Sequence, residues 1–274
     1  MNALTVTAPT ARPASPTRRL LALGRAETLL LVRNRTALAN ALLLPIGFVG
    51  LFAVLGAVGE DGAPGAAVAT SVLVMLLLVA LLFVVYYNLT TAYVARREDR
   101  VLQRLLTGST TRVEALLAPA LPAVVVILAQ LVLGYLAVAV VIEPPGLVNP
   151  VLLLVAVLGG AAVLGALAAA TAGFSRTVES VQLTTLPVIA LVLPFAGMFP
   201  TPDAGVLGTV ARFTPLRPVS ELMALGLTGT DVDGQTLSFV ETSGAAALPV
   251  AVLVGWTALG VLAARRWMRW APRR

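Results

Sequence analysis

Histidine, cysteine and lysine are all missing from this 274-residue chain, and every one of its nineteen basic residues is arginine. Without lysine there is no Walker-type phosphate loop, which needs a Lys after a Gly-rich turn to reach the β- and γ-phosphates. Without histidine or cysteine, zinc, haem, iron–sulfur and thiol chemistry lose their usual ligands and nucleophiles. Disulfides are excluded, and serine hydrolysis has no His or Lys base to draw on. Charge of either sign is also scarce, at 12% of residues against 58% hydrophobic. With a mean hydropathy of +0.94 the chain lies far outside the range of water-soluble domains.

What fills the chain instead is apolar sequence. Six runs carry no charged residue: Ala41 to Val58, Thr70 to Ala92, Leu116 to Ile142, Pro150 to Gly173, Ser180 to Phe199 and Ala246 to Ala264. Each is close to the ~20 residues that a helix needs to cross a ~30 Å hydrocarbon layer. Lipid offers the backbone no hydrogen bonds, so such runs are expected to be spanning helices. The fold class expected is all-α integral membrane, with six transmembrane helices in one membrane domain over 41–264.

Arginine placement sets the expected orientation, because positive residues collect in cytoplasmic segments. Arg12, Arg18, Arg19, Arg25, Arg33 and Arg35 precede the first run, and Arg96, Arg97, Arg100, Arg104 and Arg112 separate the second and third. Arg176 lies between runs four and five, and Arg265, Arg266, Arg269, Arg273 and Arg274 follow the sixth. Only Arg212 and Arg217 fall on the other side. Both termini are therefore expected in the cytoplasm, with the protein multi-pass in the plasma membrane. A net charge of +6 needs no nucleic acid to explain it, since the anionic inner leaflet attracts such clusters.

The flanks and loops read as follows. Residues 1–16, rich in Pro, Thr and Ala and without an apolar signal-peptide core, are expected to be a disordered tail. Residues 17–40 read as a helix along the cytoplasmic surface, with Leu20, Leu23, Leu30 and Leu31 on one face and Glu27 interrupting it; a solvated basic leader is the alternative. Residues 265–274 form a basic cytoplasmic tail. Between runs five and six, apolar residues mixed with Arg212, Arg217 and Glu221 predict short helices dipping into or lying on the outer interface, split near Pro215 and Pro218. The stretch Thr228 to Gly244 reads as an exposed, turn-rich loop.

Several residues invite a role. Over Arg96–Leu106 a helix would put Arg97, Arg100 and Arg104 on one face and Val101, Leu102, Leu105 and Leu106 on the other. Such an element suits docking to a soluble partner, with Glu98 and the arginines in directional ion pairs, or is a solvated charge cluster with a membrane-hugging back. Ala161, Gly165, Ala169 and Gly173 recur every fourth residue, a pattern for close helix packing within a subunit or at a seam between two. Gln130 is the one strongly polar side chain deep in a run, fit for interhelical hydrogen bonding or cargo contact. Tyr86, Tyr87 and Tyr93 fit an interfacial aromatic belt. Pro119 and Pro122, and Pro187 and Pro194, interrupt their helices, as moving or cargo-lining segments do, and neighbours must then satisfy the freed carbonyls.

Taken in order, these features resemble the membrane subunits of the ABC type-2 exporter permease family. Glu27-Thr28-Leu29-Leu30-Leu31-Val32-Arg33-Asn34-Arg35 before Pro45 looks like its lead-in helix, and Arg96-Arg97-Glu98 with Leu102 and Arg104-Leu105 like its basic coupling segment. Pro194-Phe195-Ala196-Gly197-Met198-Phe199-Pro200 is similar to a Ser-Gly-x-Phe-Pro ending of the fifth span, and Thr214-Pro215-Leu216 to an outer re-entrant segment. Ala196 stands where Ser is common, Arg100-Val101 replaces an often-seen Gly-Thr pair, and Gly108 stands near a frequent Pro. The resemblance implies a dimer of permeases, each docked to a separate cytoplasmic ABC ATPase that binds ATP and Mg, with no cofactor on this chain. It assigns coupling to Arg96, Arg97, Glu98, Arg100, Leu102, Arg104 and Leu105, and a second contact to the turn Ser175–Ser180. Gln130, Pro194, Phe195, Met198 and Phe199 are candidates for the translocation path.

The function expected is therefore a non-enzymatic transport subunit of an ATP-driven exporter for drugs, antibiotics or lipid-like amphiphiles. An apolar path without charges would suit such cargo entering from the bilayer. The alternative is a secondary carrier or channel working without an ATPase, against which stands the lack of ionisable residues in the runs.

Overall fold

In the computed structural model the described residues are 15–33, 65–107, 110–141, 144–196 and 205–268, with a few single positions besides. Among them the regular elements are helices, with one isolated bridge between Thr230 and Thr236. Helix α1 (Pro16–Arg33) opens with Pro at its first position and the Ser15 hydroxyl accepting from the Arg18 amide at 3.4 Å. Next comes one continuous apolar span, α2 (Gly65–Ala80), a π-helical segment Leu81–Tyr87, and α3 (Asn88–Glu98). The hydroxyls of Thr90 and Thr91 donate to the carbonyls of Tyr86 and Tyr87 at 2.7 and 3.0 Å, where the ladder changes register.

A short helix α4 (Val101–Thr107) leads to α5 (Arg112–Leu117), which a reciprocal capping box between Thr111 and Glu114 starts. Pro119 has no N–H to extend α5, and α6 (Ala120–Val141) begins one residue later. Helix α7 (Pro150–Ala172) follows Asn149, and α8 (Ser180–Val192) ends in a 3-10 turn over Leu193–Phe195. Then come α9 (Gly205–Arg212), α10 (Arg217–Leu227), α11 (Phe239–Ala245) and α12 (Ala247–Trp267).

Four of these units are long and apolar enough to cross a membrane: Gly65–Glu98, Arg112–Val141, Pro150–Ala172 and Ala247–Trp267. They coincide with predicted runs two, three, four and six. Run five is shorter than expected, its helix stopping at Phe195. Most of run one, and the residues 1–14 expected to be a tail, lie outside the described residues. The first three of these units alternate in direction and the fourth runs parallel to the third, since Gly173 meets Trp267 at one end and Asn149 meets Thr242 at the other. One end of the bundle collects Arg19, Arg96, Arg97, Arg112 and Arg176, while Arg212 and Arg217 lie on a hairpin that enters from the other.

Helix α7 is the central element, packed by α12, α10, α6 and the α2–α3 span. Its small residues explain why. Leu253 of α12 lies 2.7 Å from where a Cβ on Gly159 would sit, and Leu81 and Val219 lie 2.6 and 3.1 Å from one on Gly160, so a side chain at either position would force its neighbours to shift. Ala161, Ala169 and Gly173 are buried within this one chain. Packing inside the subunit thus accounts for three members of the four-residue repeat, while Gly165 is half-buried.

Two of the three tyrosines are not at a membrane surface. Tyr86 and Tyr93 are buried, because internal partners satisfy their polar tips: Tyr86 shares a 3.0 Å hydrogen bond with Thr171, and Tyr93 donates to the Leu116 carbonyl at 2.8 Å, beside the Pro119 break.

Helices α9 and α10 form a hairpin that dips into the bundle. Its turn, Phe213 to Leu216, is split at the predicted prolines. The Phe213 carbonyl accepts from Trp256 Nε1 at 2.7 Å, and Trp256 is the tenth of the 21 residues of α12. Val219 meets Gly160, the eleventh of the 23 residues of α7. Ten residues of helix measure about 15 Å, half of a ~30 Å hydrocarbon layer. From that depth α10 climbs back until the carbonyls of Gly226 and Leu227 accept from the amides of Asn149 and Val148 at 2.9 and 3.3 Å.

Nearby, Asn149 Nδ2 donates to Thr242 and Ser243 of α11, each at 3.2 Å. The Ser238 backbone N–H, then its hydroxyl, hold the Glu241 carboxyl below the usual carboxylate range. A lowered carboxyl pKa gives stability that is present at neutral pH and is lost as pH falls through it. The protection factor of the amides at the start of α11, taken relative to the intrinsic exchange rate at each pH, should therefore fall on acidification, and a Glu241→Gln variant should lack that response.

Candidate functional site

The arginine-rich end is held by a set of long-range polar contacts. Arg97 closes α3, and its side chain is fully buried. Its Nη1 donates to the Ala172 carbonyl at 2.7 Å, and its Nη2 to the carbonyls of Ser175 and Arg176 at 2.6 and 3.1 Å. These are among the carbonyls that the end of α7 and the following turn leave without intrahelical partners. The fork geometry of a guanidinium suits three such acceptors, and its charge suits a helix C-terminus. The turn itself is ordered by Ser180, whose hydroxyl accepts from the amides of Arg176 and Thr177 at 3.0 and 3.1 Å.

Around this knot, Arg96 reaches Glu27 of α1 at 2.5 Å and Arg19 of α1 reaches Glu114 of α5 at 3.1 Å. Glu27, which interrupts the apolar face of α1 in sequence, is thus the partner of Arg96. The Phe174 and Trp267 rings meet at 5.1 Å, and Arg112 lies over the Trp270 ring at 5.5 Å. Helices α1, α3, α5, α7 and α12 and the turn after Gly173 share one foundation.

The single amphipathic helix expected over Arg96–Leu106 is in fact two. Helix α3 ends at Glu98, and Arg100 takes a positive φ of 57°, which breaks the helix before α4 starts. The break changes which faces are presented. Arg97 turns inward instead of joining Arg100 and Arg104, and Leu102 is fully buried against the neighbouring helices. Glu98, Asp99, Arg100, Gln103 and Arg104 are exposed together, with Leu105 half-buried. Of the seven predicted coupling residues, Glu98, Arg100 and Arg104 form a reachable polar knuckle, while Arg97 and Leu102 support it from within.

Among the described path residues, Gln130 lies on α6 and Pro194 and Phe195 lie at the end of α8. Gln130 is buried on α6, away from the cavity described next. Pro194 and Phe195 make the 3-10 turn that ends α8, and Met198 and Phe199 lie outside the described residues. The carbonyls at the end of α8 are met from the hairpin: the Ser220 hydroxyl donates to Ala196, and the Thr214 hydroxyl, which donates to Ala211 at 2.7 Å, lies 3.5 Å from the Phe195 carbonyl.

At the opposite end the hairpin, α2 and the start of α12 enclose a cavity of about 920 Å³. Thr70 and Ser71 of α2 face Arg212, Arg217 and Glu221 of the hairpin across it. Arg217 Nε and Glu221 Oε1 pair at 3.2 Å, one helical turn apart. The spans carry no charge in their apolar runs, as the sequence shows, but the cavity between them does. Sequence reasoning missed this site because its charges sit in a connecting segment; the signal was Arg and Glu at helical spacing after a paired proline break.

A bundle of long apolar helices around a small-residue centre, with a hairpin packed into it, is the architecture of a multi-pass membrane protein. Residues 62–265 match the family described as ABC-2 family transporter protein, and the chain belongs to that family. No curated protein matches it. The family's members are membrane subunits of ABC transporters and not the ATP-binding component, so an ABC ATPase subunit is the implied partner.

Proposed function

We propose that this chain is the six-span permease of an ATP-driven exporter, with its arginine-rich end and both termini in the cytoplasm, working as a pair of permeases in the plasma membrane. A separate ATPase docks on the knuckle Glu98–Arg104 and the turn Ser175–Ser180, and its closure rocks the spans to release amphipathic molecules outward. The observation that carries this reading is Arg97. A force applied at either docking element reaches the other, because one buried guanidinium bonds the end of α3 to the turn. Exposed opposite charges on the knuckle, Glu98 beside Arg100 and Arg104, suit ion pairs that fix partner and register.

The test is a charge reversal at exposed positions. Glu98→Lys with Arg104→Glu should leave the permease folded but reduce its stimulation of the ATPase about tenfold, the loss of ~1.4 kcal/mol of docking energy. Unchanged stimulation and unchanged export would sink the docking assignment. Vesicles holding the permease alone separate the alternative carrier: gradient-driven uptake without an ATPase would favour it.

A further inference from the structure

The hairpin cavity rests on an unusual placement of charge. Arg212 and Arg217 are brought close to the mid-depth of two spans by a segment that could have crossed the same distance with apolar residues alone. Charged side chains at such depth are costly and mark pathways and ligand sites when they face a cavity. The other charges there are accounted for. Glu221 pairs with Arg217 at 3.2 Å. Asp231 Oδ1 accepts from the amides of Asp233 and Gln235 at 3.0 and 2.8 Å, which fixes the turn at the mouth. Arg212 has no ion pair among the described residues, though it lines the same cavity. Its position in the last turn of α9 gives it a favourable dipole contact of about 0.3–1 kcal/mol, and the side chain is half-buried, which leaves the guanidinium reachable from the cavity. The lining as a whole balances, Arg212 and Arg217 against Glu221 and Asp231, and its positive character is local to Arg212, whose guanidinium has no carboxylate partner among the described residues.

The rest of the wall is apolar or hydroxylic. Val68, Val72 and Met75 run along α2, and Leu248 and Pro249 stand opposite on α12. A volume of about 920 Å³ is large enough for a drug-sized molecule. We infer that this cavity binds an anionic amphiphile, its acid group on Arg212 and its tail along the α2 wall, where the hydroxyls of Thr70 and Ser71 already donate to the carbonyls of Ala66 and Ala67. This rests on the export reading above and names the cargo class that reading leaves open. A resident acidic membrane lipid presents the same chemistry.

Trp256 reports on the site, since its indole N–H bonds the carbonyl next to Arg212. In a Trp267→Phe, Trp270→Phe background it is the sole tryptophan. The full chain in phosphatidylcholine nanodiscs would be titrated with a dibrominated fatty acid, kept ionised well above its carboxyl pKa, and with its methyl ester. The acid should quench saturably beyond the ester. Arg212→Gln should weaken that acid-specific quenching about tenfold, as expected for losing a charge-assisted hydrogen bond, and leave the ester unchanged; Arg212→Lys should retain the preference. Equal quenching by acid and ester, or a preference that survives Arg212→Gln, would overturn the inference, as would its loss in the lysine variant. Relief of quenching by unlabelled phosphatidylglycerol would assign the site to membrane lipid; ATP-driven depletion of the acid, once the ATPase is bound, would assign it to cargo. Binding is read without the ATPase, so failure here leaves the docking proposal standing, and failure of docking leaves this site standing.

Discussion

Replacing Arg97 by alanine should cost the protein about 3 kcal/mol or more and uncouple it from its ATPase. The side chain is fully buried and donates to three carbonyls at 2.6 to 3.1 Å. Each carbonyl left buried without a donor costs about 1–3 kcal/mol. Water entering the vacated space would recover part of that, so the sum is a ceiling. Lysine keeps the charge but replaces a planar fork by a single ammonium, and it should recover only part of the loss. The cleaner readout is functional. In Arg97→Lys the turn after Gly173 and the α3 end should be less firmly joined, so ATP hydrolysis would continue with less cargo moved per ATP. Thermal unfolding in nanodiscs measures the first effect, and the transport-to-hydrolysis ratio measures the second. A variant that melts lower yet keeps the wild-type ratio would show that Arg97 holds the fold only.

That result would also mark where the sequence is legible and where it is not. Spans are readable because lipid leaves the backbone few choices, and the runs beginning near Thr70, Leu116, Pro150 and Ala246 all appear as long helices. The split at Pro215 and Pro218 is readable because a missing N–H forces it. Arg97 was not. Assigning it to a solvated face assumed that one helix ran through Asp99 and Arg100, and the positive φ at Arg100 breaks that periodicity. Nothing in the residue type announces the break, since arginine in the left-handed region is uncommon. Tyr86 and Tyr93 misled for a related reason. An amphipathic ring satisfies its hydroxyl equally well at a headgroup layer or on a buried Thr171 or Leu116, and composition does not distinguish the two. The hairpin cavity depends on the folding depth of a connecting segment, which is set by Gly160 and Trp256 on two distant helices. The π-helical segment at Leu81–Tyr87 has no marker in the sequence that we can identify.

Two glycines of the α7 stripe should respond oppositely to the same substitution, although the sequence pattern makes them equivalent. A Cβ at Gly165 would meet only Leu89 Cδ1 at 3.8 Å, an ordinary contact. Alanine there removes the helix-interior penalty of glycine, so Gly165→Ala should be neutral or stabilising by up to about 1 kcal/mol. At Gly173 a Cβ would collide with the Trp267 carbonyl oxygen and lie 2.7 Å from its carbon and 2.9 Å from the Ala170 carbonyl. These obstacles are backbone, which cannot rotate aside. Gly173→Ala must push the end of α12 off α7 and should cost about 1–3 kcal/mol, the usual range for overpacking a filled site. It should also disturb the Phe174–Trp267 ring contact, so tryptophan emission would shift with the loss of stability. Side-by-side melting of the two variants in nanodiscs decides the matter. Equal effects would mean that the end of α12 yields to a methyl group without cost, and then the cytoplasmic foundation proposed for force transfer would be too soft to carry it.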